Sequence, residues 1–183
     1  ELFLYEFKAS VNRYLVAHPR AKVRNLEELI QFNRVHADQI MPFFQQELLE
    51  IAQEKGDLNE AAYLEAKAEC YRLSRTDGID KALKEHQLDA IIAPTEGTPA
   101  FVIDPLVGDN ILKRGGSSGC STPPALAGYP HISVPAGYVL GLPIGLSFFA
   151  GAYQEGKLIS YAYAFEQATQ MRQPPGFAET ISI

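Results

Sequence analysis

The residues most able to do chemistry sit close together in Gly115-Gly116-Ser117-Ser118-Gly119-Cys120-Ser121. Serines held between glycines admit three chemistries. A phosphate cradle would use successive backbone N–H groups to face an anion. A phosphate-binding loop requires a Gly-Lys-Ser or Gly-Lys-Thr ending, whereas this one runs on to Thr122-Pro123-Pro124, where neither proline has an N–H. A nucleophile elbow matches as a string, Gly115-Gly116-Ser117-Ser118-Gly119, but needs a preceding strand and then an acid and a histidine in chain order. Asn110 to Arg114 make a poor strand, and no Asp or Glu separates the serines from His131. A serine activated by a neutral lysine needs that lysine desolvated beside it. Lys113 is too close in sequence and is flanked by Arg114, which favours solvation. The plain structural alternative is a turn whose small residues let backbones approach closely.

Other ionisable groups are more scattered. Glu96, Asp104 and Asp109 fall in a Pro/Gly-rich loop after a strand end, where α/β proteins often bind ligands. His36 and Asp38 lie two apart on a helical stretch and point away from each other, a poor metal pair. Cys70 and Cys120 are the two cysteines. They lack a zinc spacing and a disulfide framework, which fits a reducing, cytoplasmic compartment. Cys70 reads as a small core side chain on a helix.

These groups need elements to position them. The chain has 183 residues, 46% hydrophobic and 21% charged, the balance of a globular protein rather than a disordered tail or a disulfide-stapled miniprotein. Its net charge of −6 argues against a nucleic-acid partner. Residues 115–154 contain no Asp, Glu, Lys or Arg, so this stretch is expected to be buried. Gly137, Gly141 and Gly145 repeat at the spacing of packed transmembrane helices, but five prolines between Pro123 and Pro143 interrupt any span. Short buried strands joined by Gly and Pro turns fit better, and no membrane segment is expected. The chain opens at Glu1 without a signal-peptide pattern, and the absent Met suggests a fragment.

Helical periodicity dominates residues 1–87. Phe3, Phe7, Val11, Tyr14 and Leu15 predict an amphipathic helix over 2–17. Asn25 and Glu28 form a capping-box pattern before Leu26. A helix is predicted over 43–55, entered at Pro42 and closed by Gly56. A long one is predicted from Glu60 to His86, capped by Asn59, with Tyr63, Leu64, Cys70, Tyr71 and Leu73 inward. Gly78 costs that helix about 1 kcal/mol relative to Ala and is a place for it to bend. Residues 88–153 read as strands and Gly/Pro loops. Leu88 to Ala93 suits a strand buried on both faces, with further strands at His131–Val134 and Gly145–Phe149, the latter entered through the turn Gly141-Leu142-Pro143. Residues 154–173 read as a closing helix, with Leu158, Tyr161, Ala162, Phe165 and Ala168 on one face. The order of elements predicts an α/β protein forming a single partial domain.

Three segments make the pattern specific: Leu88 to Thr95, Leu126-Ala127-Gly128-Tyr129-Pro130-His131-Ile132-Ser133-Val134-Pro135-Ala136-Gly137, and Gly141 to Phe149. In order and spacing they resemble the C-terminal third of amidase-signature hydrolases. The helices around Asn25–Asn33, Ala61–Ala66 and Ala164–Thr169 are similar as well, so the likeness covers nearly the whole chain. It implies part of a mixed central β-sheet flanked by helices, and amide-bond cleavage without metal or organic cofactor. In that family a Ser–cis-Ser–Lys triad in the N-terminal half does the chemistry. Gly116 to Ser121 imitates the serine-glycine signature, yet no aspartate follows it, so no triad position carries over. The expectation is therefore a C-terminal amidase segment, inactive alone, that completes a small-molecule amide pocket with a missing N-terminal half. Thr95, Asp104, Asp109, Ser117 and Ser118 are the candidate pocket residues, and self-association, including a homodimer, is expected of exposed sheet edges. A non-catalytic binding or assembly module that kept the scaffold is the alternative.

Overall fold

The computed structural model describes residues 1–42, 45–95, 119–139 and 141–176. Contacts divide these into two compact units, Glu1–Glu69 and the described residues from Cys70 onward.

The first unit is helical: α1 (Leu2–Ala17), α2 (Leu26–Val35), the single turn α3 (Ala37–Ile40), α4 (Glu47–Gln53) and the start of α5 (Ala61–Tyr71). α2 starts where the capping pattern put it, with Asn25 Oδ1 accepting from the Glu28 N–H at 2.8 Å. The Glu28 carboxylate reaches back to the Arg24 N–H, also at 2.8 Å. Leu26, Ile30 and Ala52 form the core, packed by Leu4, Phe7, Val11, Leu29 and Leu49. α1 buries Leu2, Tyr5 and Leu15 rather than the full predicted stripe; Phe3 and Tyr14 are exposed because the Tyr5 side carries the contacts. Tyr5 donates to Glu60 Oε2 at 2.9 Å and its ring packs on Tyr63. α4 is shorter than predicted, beginning at Glu47, with Phe43 and Phe44 outside the described residues. Its predecessor Gln46 is buried, donating to the Ile30 carbonyl at 3.3 Å and accepting from Asn33 at 3.1 Å. Asn59 does not begin α5 as predicted: its N–H donates to Asp57 Oδ1 at 2.6 Å, and the first helical carbonyl is that of Glu60.

The predicted long helix is three pieces: α5, a π-helical stretch over Arg72–Ile79 and α6 (Asp80–Glu85). Gly78 is the break, at φ −106° and ψ −108°. A Cβ there would lie 2.3 Å from the Leu73 carbonyl oxygen, so only glycine fits without a shift. Tyr63, Ser74 and Ile79 are buried, while Leu64 and Leu73 are 53% and 55% exposed. Cys70 is half-buried rather than a core residue.

The second unit is built on a three-stranded sheet in the order β1 (Ile91–Pro94), β3 (Leu142–Phe149), β2 (His131–Val139), with both pairs antiparallel. Helices flank this sheet, so the α/β class holds. β1 begins three residues later than predicted and is not buried on both faces. It pairs on one side among the described residues, and Ile92 is 60% exposed. β2 and β3 are longer than predicted and form a hairpin in which Leu142 and Pro143 already pair with Val139 and Tyr138. Gly141 at φ 77° sits in its turn, and a register shift beside Gly137, φ 141°, interrupts the ladder. Strand positions, not a helical repeat, thus explain these glycines.

One sheet face packs Val134, Phe148 and Ala150 on Leu158 and Ala162 of α8 (Glu155–Thr169). Tyr161, predicted inward, is partly exposed. The opposite face packs Phe149 on Ile79 and Ala127. Ala127 ends α7 (Thr122–Ala127), a helix not expected from the sequence, where Pro123 and Pro124 read as breakers. They stand in its first turn, where a missing N–H costs nothing, and Gly128 closes it in the left-handed conformation.

Arg75 fastens α7 to the π-helical segment. Its Nε donates to the Ala127 carbonyl at 2.7 Å, and its guanidinium stacks on Tyr71 and Tyr129. Tyr129 donates to Asp80 at 2.9 Å, and burial, then this bond, raises its pKa above the usual tyrosine value. The unfolded chain, with Tyr129 titrating near about 10, loses that proton first. The Tyr129 contribution is therefore complete below about pH 10 and is lost as pH rises through the higher folded value. Wild-type melting temperature is expected to fall more steeply above about pH 10 than that of Tyr129→Phe.

Candidate functional site

Alternation along the strands decides which polar side chains meet. In the register, Ser133 and Ala93 both oppose Ser147, and His131 and Ile91 both oppose Phe149. His131, Ser133 and Ser147 therefore share one sheet face, and Thr95 joins them one step past the end of β1. The Thr95 N–H donates to the Gly145 carbonyl at 2.8 Å and extends the β1–β3 ladder. The Thr95 carbonyl accepts from the Cys120 N–H at 3.3 Å, which fixes the segment entering α7.

Ser147 is the hub. Its Oγ lies 2.8 Å from Thr95 Oγ1, 3.2 Å from Ser133 Oγ and 2.7 Å from His131 Nε2. Thr95 and Ser133 also hydrogen-bond each other. Ser147 is 0% exposed whereas His131 and Ser133 are exposed, so the cluster has a closed end and an open one. The His131 ring is held edge-on to Phe149, with centroids 6.1 Å apart.

A serine beside a histidine suggests a nucleophile and its base. Burial removes that reading for Ser147, because a substrate carbonyl cannot reach an oxygen without exposed surface. The open groups, Thr95 Oγ1 and Ser133 Oγ, are neutral hydroxyls suited to hydrogen-bonding an uncharged polar group.

Of the candidate pocket residues, Thr95 stands in this cluster. Asp104, Asp109, Ser117 and Ser118 lie outside the described residues, as do Glu96, Lys113 and Arg114. His131, Ser133 and Ser147 are site residues that sequence reasoning missed. The only signal is a two-residue alternation, His131-Ile132-Ser133 and Gly145-Leu146-Ser147, and pairing them requires the register. Among the described residues, no group of three or more His, Cys, Asp and Glu is arranged to hold a metal. In the first unit, an open groove of about 570 Å³ is lined by Lys22, Asn25, Glu28, Phe32 and His36 among others. Its histidine, His36, is engaged with the Phe32 carbonyl at 2.8 Å. No described helix is long and apolar enough to cross a membrane.

Fold and site first define a class: an α/β scaffold presenting neutral hydroxyls at one end of a three-stranded sheet. Comparison with known proteins then gives the family. Residues 1–159 match the family model for amidases. A probable amidase of Arabidopsis thaliana is 36% identical over 179 residues, covering 95% of this chain and 30% of the plant protein. The crystal structure of native peptide amidase from Stenotrophomonas maltophilia is 45% identical with a TM-score of 0.80, covering 98% of this chain and 34% of that one. An amidase family protein from Bacillus anthracis is more distant, 26% identical with a TM-score of 0.67, covering 97% of this chain and 31% of that one. This chain belongs to the amidase family, and it spans about a third of the length of the plant amidase and the peptide amidase.

Gly145 makes the hub possible. A Cβ at this position would lie 2.7 Å from Thr95 Oγ1, inside contact distance. Gly145→Ala is expected to destabilise the protein by about 1–3 kcal/mol, the usual range for overpacking. Urea denaturation measures this, and an unchanged midpoint would show that Thr95 does not need its observed position.

Proposed function

We propose that this chain is the C-terminal portion of an amide-bond hydrolase. It supplies sheet scaffold and part of the substrate pocket, while the Ser–cis-Ser–Lys triad resides in the N-terminal half of the complete protein. The observation that carries this reading is the 45% identity to a peptide amidase across 98% of this chain but only 34% of that one. The catalytic groups then belong to the remaining length. Thr95, Asp104, Asp109, Ser117 and Ser118 are the pocket residues this chain contributes. Thr95 enters through the hydroxyl cluster, the other four through their place in the sequence after Thr95.

The substrate is a small-molecule amide, and the similarity to peptide amidase favours a peptide amide. Uncharged hydroxyls suit such a group because an amide brings no charge that would need a buried counter-ion. No metal, organic cofactor or nucleic acid takes part in this reading, and the protein acts in the cytoplasm.

The test is ammonia release from an N-acetylated dipeptide amide. The complete protein is expected to turn over, and Thr95→Val to raise KM about tenfold, corresponding to a lost hydrogen bond of about 1.4 kcal/mol. The chain alone is expected to release none. Self-association is expected in light scattering, because β1 and β2 each pair on one side among the described residues and β1 exposes Ile92. Turnover by the chain alone, abolished by Ser117→Ala or Ser118→Ala, would overturn the proposal. A complete protein inert toward amides would favour the assembly module.

A further inference from the structure

Four contacts link Thr95, Ser133, Ser147 and His131: three among the hydroxyls and one from Ser147 Oγ to His131 Nε2. Each contact needs one proton between its two heavy atoms. Three hydroxyls carry three protons, one each. If Nε2 were a bare acceptor, one of the four contacts would set lone pair against lone pair. Ser147, 0% exposed, would then spend its proton on Nε2 and accept from both other hydroxyls, leaving Thr95 and Ser133 to face each other lone pair to lone pair at hydrogen-bonding distance. A proton on Nε2 removes the deficit, giving four protons for four contacts.

From this count we infer that His131 is a positioning residue, a fixed Nε2–H donor to Ser147 that sets the direction of the whole cluster. Ser147 then accepts from His131 and from one hydroxyl and donates to the other, so both of its lone pairs and its proton are used. Thr95 and Ser133 each donate once and accept once within the ring of hydroxyls. Among the described residues each keeps one lone pair unused, on the half-buried Thr95 and the exposed Ser133. Those lone pairs are acceptors, which suit an N–H group and disfavour a carboxylate. His131 is thus no base toward Ser147: the proton runs from ring to hydroxyl. The same ring meets Phe149 edge-on. The proton count stands on the contacts alone, whereas its bearing on substrate choice rests on the reading of Thr95 as a pocket residue.

Ring-nitrogen NMR of histidine-labelled protein near pH 8 reads the proton directly. His131 is expected to show a protonated Nε2 and an unprotonated Nδ1. An Nδ1–H ring, or a pair of averaged shifts, would overturn the assignment. Substitution supplies a second readout. His131→Gln can place an N–H donor toward Ser147, whereas ionised His131→Glu offers only acceptors. The glutamine variant is expected to melt within about 2 °C of wild type, and the glutamate variant about 4 °C or more below it, the scale of one lost buried hydrogen bond in a chain of this size. Equal losses in both variants would overturn the donor role. Neither measurement uses turnover, so failure of the amidase reading would leave both results intact.

Discussion

A serine hydroxyl with no exposed surface must find its partners inside the protein, and Ser147 finds three. It stands on the central strand, and its partners come from one outer strand, β2, and from the step beyond the other, β1. The sheet ladder brings the strands to hydrogen-bonding distance but does not by itself prescribe what the side chains do. The cluster adds that prescription, since satisfying Ser147 fixes where Thr95, Ser133 and His131 stand. Polar groups buried as a complete network rigidify a structure, and incomplete ones destabilise it. The position of Thr95, and with it the direction in which the chain leaves β1, follows from this requirement.

The two sheet faces divide the work. Phe148 and Val134 pack with Leu158 and Ala162, an apolar contact without polar constraint. The other face is apolar toward Phe149, Ile79 and Ala127 and polar toward Ser147. Arg75 stabilises the apolar end by joining α7 to the π-helical segment, so the turn that brings Cys120 to Thr95 is anchored independently of the hydroxyls. The sheet thus combines an anchored apolar frame with one polar end.

Much of the frame is legible in the residues. Asn25 and Glu28 announce α2, and the turn signal at Gly141 announces the hairpin, although Leu142 and Pro143 belong to β3. The misreadings have physical causes. Pro123 and Pro124 look like breakers until they are placed in a first helical turn, where their missing N–H groups are no loss. Gly78 reads as a small propensity cost, but the Leu73 carbonyl occupies the space of its absent side chain. The site itself is mostly illegible: Thr95 stands out at a strand end, yet its partners are far away in sequence, and a strand register cannot be read from alternation alone.

The strand order also constrains how the chain folds. β2 and β3 are joined by a tight turn and can pair early, because closing a short loop loses little entropy. β1 is made first yet has no described neighbour except β3, and Thr95 reaches Ser147 across 52 positions. Until the hairpin exists, β1 lacks its strand partner and Ile91 its packing. Loop-closure entropy therefore favours the hairpin before docking, with the long-range return of β1 as the costlier closure. During synthesis the earliest strand waits for the latest one, an interval in which the emerging polypeptide is most open to chaperone capture.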